Sequence, residues 1–300
     1  MFQFATGVSL ANSLDKRLVI NTNWYKNPRI HRGSNHAYST KRIIEVSNFS
    51  AFNDFDVDST STLRDGRFEK IIGKIHHQYW GKLGLADERN FVDGLWRSED
   101  KIKRLVGYFM SPKYFNSLDT KILFKNLAQP LSEWTFKTIQ KISSENAIGI
   151  HVRLGDYLLL GDKVIPSENY YLKGLEILSK QLGDNAKPYL FTDDSVQLTS
   201  LFPILSKLCN IISPPSNINS SENLLTLAAC KAFVCSNSTF SWWAVNLSSA
   251  GAERIVRPSY FYTSAPEIDT QADLWHLNSI KLNPTLDKLG REPTRFEVNN

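Results

Sequence analysis

The segment AIGIHV, residues 147–152, decides the fold of this chain. It is a nearly continuous apolar run that follows the polar residues Ser143, Ser144 and Glu145. A short apolar run bounded in this way is typical of a strand that is buried on both faces, as in a parallel sheet. Segments of helical and strand character alternate downstream, at residues 169–182, 188–191, 222–231, 232–235, 241–249 and 254–257. This order predicts an α/β fold whose parallel sheet is covered by helices on both faces.

The first half of the chain shows no such regular alternation. Its patterns predict helices at residues 2–14 and 131–144, short strands at 17–21 and 41–46, and a loop at 52–62. A chain of 300 residues is long enough for two domains of ordinary size. Because the composition changes just before the segment at 147–152, we expect two domains, at residues 1–145 and 146–300.

The composition is that of an ordinary globular protein, with 42% hydrophobic and 22% charged residues. The net charge of +5 suits an anionic small ligand or an acidic membrane surface, but it is too small to indicate a nucleic-acid partner. Three cysteines fit neither a disulfide framework nor a zinc pattern. The sequence has no apolar run of membrane-spanning length and no signal-peptide pattern at Met1, so we expect a cytoplasmic protein.

Candidate ligand-binding residues follow the strand at 147–152, because parallel α/β sheets bind ligands at the carboxyl ends of their strands. Strand alternation places His151 and Arg153 on one face, and Gly155 allows a turn. The planar guanidinium of Arg153 could bind two phosphate oxygens at once. The same spacing also fits a structural ion pair between Arg153 and Asp156, and His151 also fits a buried core histidine.

Two adjacent carboxylates, Asp193 and Asp194, follow the strand at 188–191. They fit four roles: capping the next helix, contacting a ribose, accepting hydrogen bonds from a guanine, or holding a divalent metal. A carboxylate pair without a third ligand is weak evidence for a metal. The acid–base pair of a glycoside hydrolase is a poor fit, because neighbouring residues point apart.

A third polar loop, SNST at residues 236–239, lies between the strand at 232–235 and the helix at 241–249. Small hydroxyl residues in front of a helix form an anion-binding site together with the free N–H groups of its first turn. Capping alone accounts for one or two of these residues. The sequence contains neither G-x-x-x-x-G-K nor G-x-G-x-x-G, which argues against a P-loop ATPase and a dinucleotide-dependent dehydrogenase.

Three motifs give the chain a specific resemblance. They are HVRLGDY at residues 151–157, FTDD at 191–194 and NSTFSWW at 237–243. In this order they resemble the alpha-1,2-fucosyltransferase family, glycosyltransferase family 11, which carries H-x-R-R-G-D-Y, F-[ST]-D-D and N-S-[ST]-F-S-W-W. Weaker similarities at residues 107–115 and 170–171 extend the resemblance over nearly the whole chain.

The resemblance implies a GT-B-like fold, with two Rossmann-like domains facing a cleft and the second domain binding GDP-fucose. It implies an inverting enzyme that moves L-fucose to the 2-hydroxyl of a galactose in a surface glycan, such as a lipopolysaccharide O-antigen. It further implies no metal and no cofactor, and a peripheral location at the inner face of the membrane. The expected partners are therefore GDP-fucose and a galactose-containing acceptor.

The resemblance also implies roles for individual residues. Arg153 would bind the β-phosphate of GDP and is the candidate catalytic residue, with His151 and Gly155 shaping its loop. Asp193 or Asp194 would contact guanine or ribose. The complete expected donor-binding set is His151, Arg153, Gly155, Asp156, Asp193, Asp194, Asn237, Ser238, Thr239 and Ser241.

The chain departs from the family pattern in two places. Leu154 replaces the second arginine of the first motif, a position that alternation directs away from the face of Arg153. Relatives carry a strand and a G-G-L-G-N-Q turn directly before M-F-Q-x-A, whereas this sequence begins at that methionine. We therefore expect the first strand to be missing from domain 1–145, and the alternative function is a GDP-sugar-binding protein with little or no turnover. The candidate catalytic bases, among which the sequence does not choose, are His31, His36, His76 and His77.

Overall fold

A computed structural model describes residues 1–22, 44–59, 85–86, 104–105, 109–160, 165–260 and 279–286. The chain divides into two compact units, Met1–Pro130 and Leu131–Asn300. Each unit is described by itself.

The first unit is built around a buried helix. Its regular elements are α1 (Phe2–Ser13), β1 (Val19–Asn21), β2 (Asp56–Asp58), β3 (Leu85–Ala86), β4 (Arg104–Leu105) and α2 (Thr120–Leu123). The ring of Phe4 in α1 packs against Phe52, Phe55 and Phe124, with ring centroids 5.3 to 6.0 Å apart. The strands form two parallel pairs, β1 with β2 and β3 with β4.

Two predictions for the first unit are wrong. Residues 56–58 were expected in a loop but form β2, because their backbone pairs with β1 and the ion pair between Arg17 and Asp56 lies at this pairing. Of the strand expected at 41–46, Glu45 and Val46 instead belong to a short 3-10 turn at Glu45–Asn48, and residues 41–43 lie outside the described part of the chain. Both predictions concern short segments, whose conformation depends on partners that are distant in sequence.

The second unit contains a parallel sheet of six strands. They are β5 (Asn146–Val152), β6 (Ala186–Thr192), β7 (Asn210–Ile211), β8 (Ala232–Val234), β9 (Ile255–Pro258) and β10 (Ile280–Leu282). Their spatial order is β7-β6-β5-β8-β9-β10, which is the doubly wound Rossmann order. The predicted α/β class is confirmed. The strand order reverses between β5 and β8, so this fold binds ligands outside the carboxyl ends of these two strands.

In the described residues, one helix precedes the first strand of this sheet and five helices connect its strands. These six helices are α3 (Glu133–Ser144), α4 (Glu168–Leu182), α5 (Ser195–Leu201), α6 (Pro203–Leu208), α7 (Ser220–Ala228) and α8 (Thr239–Leu247). Five of the six begin at a residue whose side chain accepts a backbone N–H of the first turn: Ser132, Ser167, Asp194, Asn219 and Ser238. These caps satisfy donors that the helix itself leaves unpaired, and they explain why the helices begin where they do.

Alternation along β5 divides its residues between two buried faces of the sheet. Ile148, Ile150 and Val152 lie in one buried cluster, which continues to Leu154. On the opposite face, a Cβ atom at Gly149 would lie 2.7 Å from the side chain of Leu227, so only glycine allows α7 to approach this closely. The face of Gly149 leads to His151 and then to Arg153. The substitution of the family's second arginine by Leu154 therefore falls on the core side.

The division between the units lies before α3 rather than after it. The backbone N–H and the hydroxyl of Ser132 both donate to Oε2 of Glu222 in α7, at 2.9 and 2.6 Å. These bonds attach α3 to the second unit, so the chain divides at Pro130 and Leu131, whereas the composition suggested residues 145 and 146. The change in composition marks the first strand of the sheet, and the helix that precedes the strand packs on the same sheet.

We predict that Glu222→Gln lowers the free energy of unfolding by about 1–2 kcal/mol near pH 7, because charged hydrogen bonds become neutral ones. Burial raises the pKa of the Glu222 carboxyl, but hydrogen bonds from Ser132 and Thr135 outweigh burial and hold the pKa below its usual range. A carboxyl with a lowered pKa stabilises the fold above its unfolded pKa and loses this effect as the pH falls through the folded pKa. Denaturant unfolding should therefore show a larger difference at pH 7 than at pH 3, and an equal difference at both would contradict the assignment.

Candidate functional site

Three loops meet at the carboxyl edge of the sheet, because β6, β5 and β8 are neighbours in it. Oδ1 of Asp193, after β6, accepts a hydrogen bond from the backbone N–H of Leu154 at 2.8 Å. The hydroxyl of Tyr157 donates to the carbonyl of Asn237, after β8, at 3.1 Å. The first sequence motif thus contacts both of the others, at the point where the strand order reverses.

Arg153 is held between two carboxylates. Its Nε and Nη2 atoms donate to Oδ1 of Asp156 at 3.1 and 2.7 Å, and Nη1 lies 2.8 Å from Oδ2 of Asp193. The ion pair with Asp156 that the spacing allowed is therefore present, joined by a second pair. Within the described residues these contacts use three of the five guanidinium N–H groups, and the side chain is 32% exposed. The guanidinium is fixed in place and open to a ligand.

Gly155 and Asp193 fit closely against each other. A Cβ atom added at Gly155 would overlap Oδ2 of Asp193, so a glycine is needed here for space rather than for an unusual backbone angle. Asp194 points elsewhere: its Oδ1 accepts the backbone N–H of Gln197 at 3.0 Å and caps α5. The two adjacent aspartates therefore have separate tasks, and they do not form the carboxylate pair of a hydrolase.

His151 joins the end of β5 to the loop before α8. Its Nδ1 atom lies 3.0 Å from Oγ of Ser236 and 2.7 Å from Oγ of Ser241, and the two hydroxyls are 3.0 Å apart. The residue is 5% exposed, and burial, followed by the charge of Arg153, lowers its pKa to about 3. His151 is consequently neutral near pH 7 and a poor proton acceptor. Its place in the structure is that of a positioning residue.

The hydroxyls expected to hold phosphates have different surroundings. Ser238 is the N-cap of α8, and its Oγ accepts the backbone N–H of Phe240 at 3.2 Å. Thr239 is the first residue of α8 and is half-buried. Ser241 is buried, with its hydroxyl bonded to His151 behind the loop, and Asn237 is buried too. The positive end of the α8 dipole lies here, so the backbone at Ser238 and Thr239 is the part suited to an anion.

Three residues of the site were not predicted. Ser236 completes the hydrogen-bonded ring with His151, and the ring of Tyr157 lies 5.8 Å from the guanidinium carbon of Arg153. Tyr170 in α4 donates to the carbonyl of Cys235 at 2.6 Å and fixes the end of β8. Ser236 and Tyr157 lie beside or within the quoted motifs, where a polar residue after a strand was the available signal. Tyr170 lies in the weaker similarity at residues 170–171.

Some predictions lie outside the described residues, including the candidate bases His31, His36, His76 and His77 and the residues at 107–108. Where the structure describes side chains, no group of three or more His, Cys, Asp and Glu residues could hold a metal ion. None of the described helices is long and apolar enough to cross a membrane. The three cysteines, Cys209, Cys230 and Cys235, are free thiols.

We predict that His151→Gln flattens the dependence of stability on pH. The pKa of His151 is about 3 in the folded protein, whereas in the unfolded chain it is 6.5. Between these two values only the unfolded chain binds a proton, so the free energy of unfolding falls as the pH decreases from 6.5 towards 3. The slope that this one group adds is about 1.4 kcal/mol per pH unit. Unfolding free energies measured from pH 7 to pH 4 should fall less steeply in the variant. Parallel curves for both proteins would show that His151 is not buried in its neutral form.

An arginine, a capped helix N-terminus and a glycine-containing loop lie together at the switch point of this α/β unit, which is where doubly wound folds bind their ligands. The chain belongs to Glycosyl transferase family 11, whose profile matches residues 103–272. The family resemblance found in the three motifs is thereby confirmed, and the protein is a glycosyltransferase.

The chain is 23% identical over 282 residues to an Escherichia coli protein named alpha-1,2-colitosyltransferase, a match that covers 87% of this chain and 88% of the relative. Two solved structures are similar at 14% identity. The ADP-heptose LPS heptosyltransferase II of E. coli has a TM-score of 0.39 and covers 94% of this chain and 86% of its own. The fucosyltransferase NodZ from Bradyrhizobium has a TM-score of 0.38, with 82% and 87% covered.

Proposed function

We propose that this glycosyltransferase moves L-fucose from GDP-fucose to the 2-hydroxyl of a galactose in a glycan, with inversion at the anomeric carbon. In this proposal the unit from Leu131 onward binds the donor, within a GT-B-like arrangement. The observation that supports it most is the position of Arg153 at the carboxyl end of β5, next to the loop that leads into α8. This is where a doubly wound sheet binds a nucleotide diphosphate.

The proposed reaction requires stabilisation of a leaving diphosphate. The acceptor oxygen attacks C1 of the sugar as the bond from C1 to the β-phosphate oxygen breaks, and the electron pair of that bond leaves with GDP. Arg153 and the N–H groups at the start of α8 provide fixed positive charge for the phosphate oxygens. The acceptor hydroxyl must also lose its proton, and the low pKa of His151 excludes that residue as the main proton acceptor near pH 7.

The two carboxylates on Arg153 have a consequence for donor binding. Asp156 and Asp193 carry two negative charges, and the guanidinium of Arg153 neutralises only one of them. The excess negative charge repels an incoming phosphate. Asp193 also accepts the backbone N–H of Leu154, so it links the guanidinium to the end of β5. We infer that Asp193 keeps Arg153 in place while the donor phosphate binds.

Colitosyl transfer is the second candidate function, and the similarity to the colitosyltransferase supports it. Colitose is L-fucose without its 3-hydroxyl group, so one donor hydroxyl separates the two functions. A site that hydrogen-bonds this hydroxyl rejects the deoxy sugar strongly, whereas an apolar site distinguishes the two sugars weakly.

Transfer from GDP-fucose and from GDP-colitose to lactose tests both candidates, with GDP-mannose as a control donor. GDP release gives kcat/KM for each donor, and NMR of the product gives the linkage. We expect GDP-fucose to be preferred at least tenfold, with the new bond at O2 of galactose. A preference for GDP-colitose would replace the proposal by the second candidate, and release from neither donor would contradict both.

We predict that transfer does not need a metal ion, because Arg153 and the start of α8 already supply the positive charge that a metal would provide. The rate in 5 mM EDTA should stay within about twofold of the untreated rate. Loss of activity that Mg²⁺ or Mn²⁺ restores would instead make Asp193 a candidate metal ligand and would contradict the role given to Arg153.

A nucleotide-sugar donor and a glycan acceptor are the partners that membership of the family implies. For this chain we propose that the acceptor belongs to a surface polysaccharide such as an O-antigen. We also propose that transfer takes place in the cytoplasm at the inner face of the membrane. The net charge of +5 supports contact with an acidic membrane surface.

A further inference from the structure

Exposed apolar side chains are concentrated on the helices α5 and α6. Val196, Leu201, Ile204 and Leu208 are 76%, 46%, 53% and 56% exposed. They make up half of the eight large hydrophobic residues that are exposed in the described part of the chain, yet they lie within 13 consecutive residues. We call these four residues the α5–α6 patch.

The patch is not explained by packing within the unit. Leu198, Phe202 and Leu205 of the same segment are buried and already attach both helices to the core. A surface helix normally has polar residues opposite its buried side, but here the outer side is apolar as well. Ile204 and Leu208 are four residues apart in α6, so they lie next to each other on its outer surface.

The segment around the patch is almost free of charge. Residues 195–221 contain no aspartate or glutamate, and their one charged residue is Lys207, although 22% of the whole chain is charged. Lys207 is exposed and lies next to Leu208 in the last turn of α6. Within this segment an anionic surface would therefore meet one lysine and no carboxylate. A carboxylate outside the segment, that of Glu168, contacts it by accepting the backbone N–H groups of Ile204 and Leu205 at 2.7 and 2.9 Å.

We propose that the α5–α6 patch docks on an anionic lipid surface. Each partner of a stable protein complex buries about 800 Å² of surface with a complementary shape, which is more than these four side chains expose. A bilayer does not require that area or a complementary shape, because single apolar side chains enter the headgroup region while a lysine reaches the phosphates. Docking through so small a patch is weak and reversible.

Docking of the α5–α6 patch on lipid would bring the proposed sugar transfer close to a membrane. Only this effect on transfer rests on the proposed function, and docking itself does not. The patch begins two residues after Asp194, and Asp193 contacts Arg153, so docking through α5 holds the donor loop near the lipid surface. An acceptor glycan attached to that surface would meet the donor without diffusing far. Transfer to a soluble acceptor needs no such docking.

Co-sedimentation of the full chain with vesicles tests the proposal. One set of vesicles contains 70% phosphatidylcholine and 30% phosphatidylglycerol, and the other contains phosphatidylcholine alone. We expect the wild type to sediment with the anionic vesicles, and I204S/L208S to lower the bound fraction at least fivefold. Ile122→Ser is the matched control, because Ile122 is 73% exposed in the other unit and should leave binding unchanged. Lys207→Glu should weaken binding to the anionic vesicles only.

Several results would overturn the proposal. One is a wild type that does not sediment with anionic vesicles, and another is equal binding by wild type and I204S/L208S. A dimer that this variant loses in analytical ultracentrifugation, without vesicle binding by the wild type, would make the patch an interface between two copies. Melting temperatures verify folding, and Val196→Ser replaces the double variant if that variant unfolds. Transfer to lactose without vesicles tests the proposed transferase activity separately. A failure of the docking proposal can therefore be distinguished from a failure of the proposed function.

Discussion

Replacing Arg153 by alanine is expected to lower kcat/KM for sugar transfer by about 10²- to 10³-fold. The contact with Asp193, which also binds the backbone of Leu154, holds the guanidinium in position before any ligand arrives, so little reorganisation is needed when it stabilises the leaving phosphate. Arg153→Lys should recover only a small part of the loss, because an ammonium group is a point charge and cannot bind two phosphate oxygens in one plane. Initial rates of GDP release at several donor concentrations provide the measurement.

Arg254→Ala is the matched control for this experiment. Arg254 is also paired with a carboxylate, that of Glu253, but it directly precedes β9 and so lies at the amino edge of the sheet, away from the donor loops. Its removal should leave the rate unchanged. Wild-type turnover in Arg153→Ala, or equal losses in both variants, would contradict the assignment of Arg153.

The second large effect is expected from Asp193→Ala, which should lower kcat/KM by about 10- to 100-fold. Its carboxylate holds both the backbone of Leu154 and the guanidinium of Arg153, and a displacement of about 1 Å in a catalytic group can cost about 100-fold. Gly155→Ala should reproduce the loss, because the new Cβ atom would occupy the position of Oδ2 of Asp193. Similar losses of kcat/KM in Asp193→Ala and Gly155→Ala would show that the contacts of the Asp193 carboxylate are needed for transfer.

Asp184→Asn is the control for these two variants, since Asp184 is exposed and lies before β6 at the opposite edge of the sheet. Asp193→Asn separates the two tasks of the carboxylate. The amide oxygen can still accept the bond from Leu154, but the charge on Arg153 is lost, so an intermediate loss is expected. If Gly155→Ala had wild-type kinetics while Asp193→Ala did not, the close fit between the two residues would have no functional role.

The second half of the sequence was sufficient to predict four of the six strands of the sheet and its three polar loops. The apolar run at 147–152 is the core strand β5, and alternation placed Leu154 and Arg153 on opposite faces, of which the face of Leu154 is the core side. Parallel strands end at one edge, so the three polar loops could be expected to meet there. Their motifs then led to the family that the profile confirms.

Other features depend on partners that a single sequence does not reveal. β7 has two residues and β10 has three, too few for a periodic pattern, and both exist because they extend a sheet that is already formed. The register that pairs Val152 with Thr192 places Asp193 against Leu154, and no local pattern contains this register. The exposed apolar residues of α5 and α6 conceal the helical period, and these two helices were not predicted.

The central claim, that Arg153 binds the diphosphate of the donor, is tested most directly by comparing the affinities of GDP and GMP. The two nucleotides differ by the β-phosphate, so the ratio of their Kd values isolates the contact. Calorimetric titration of the wild type should give a Kd for GDP at least tenfold below that for GMP, equivalent to about 1.4 kcal/mol. In Arg153→Ala the two values should be nearly equal. Equal affinities in the wild type, or an undiminished preference for GDP in the variant, would contradict the account.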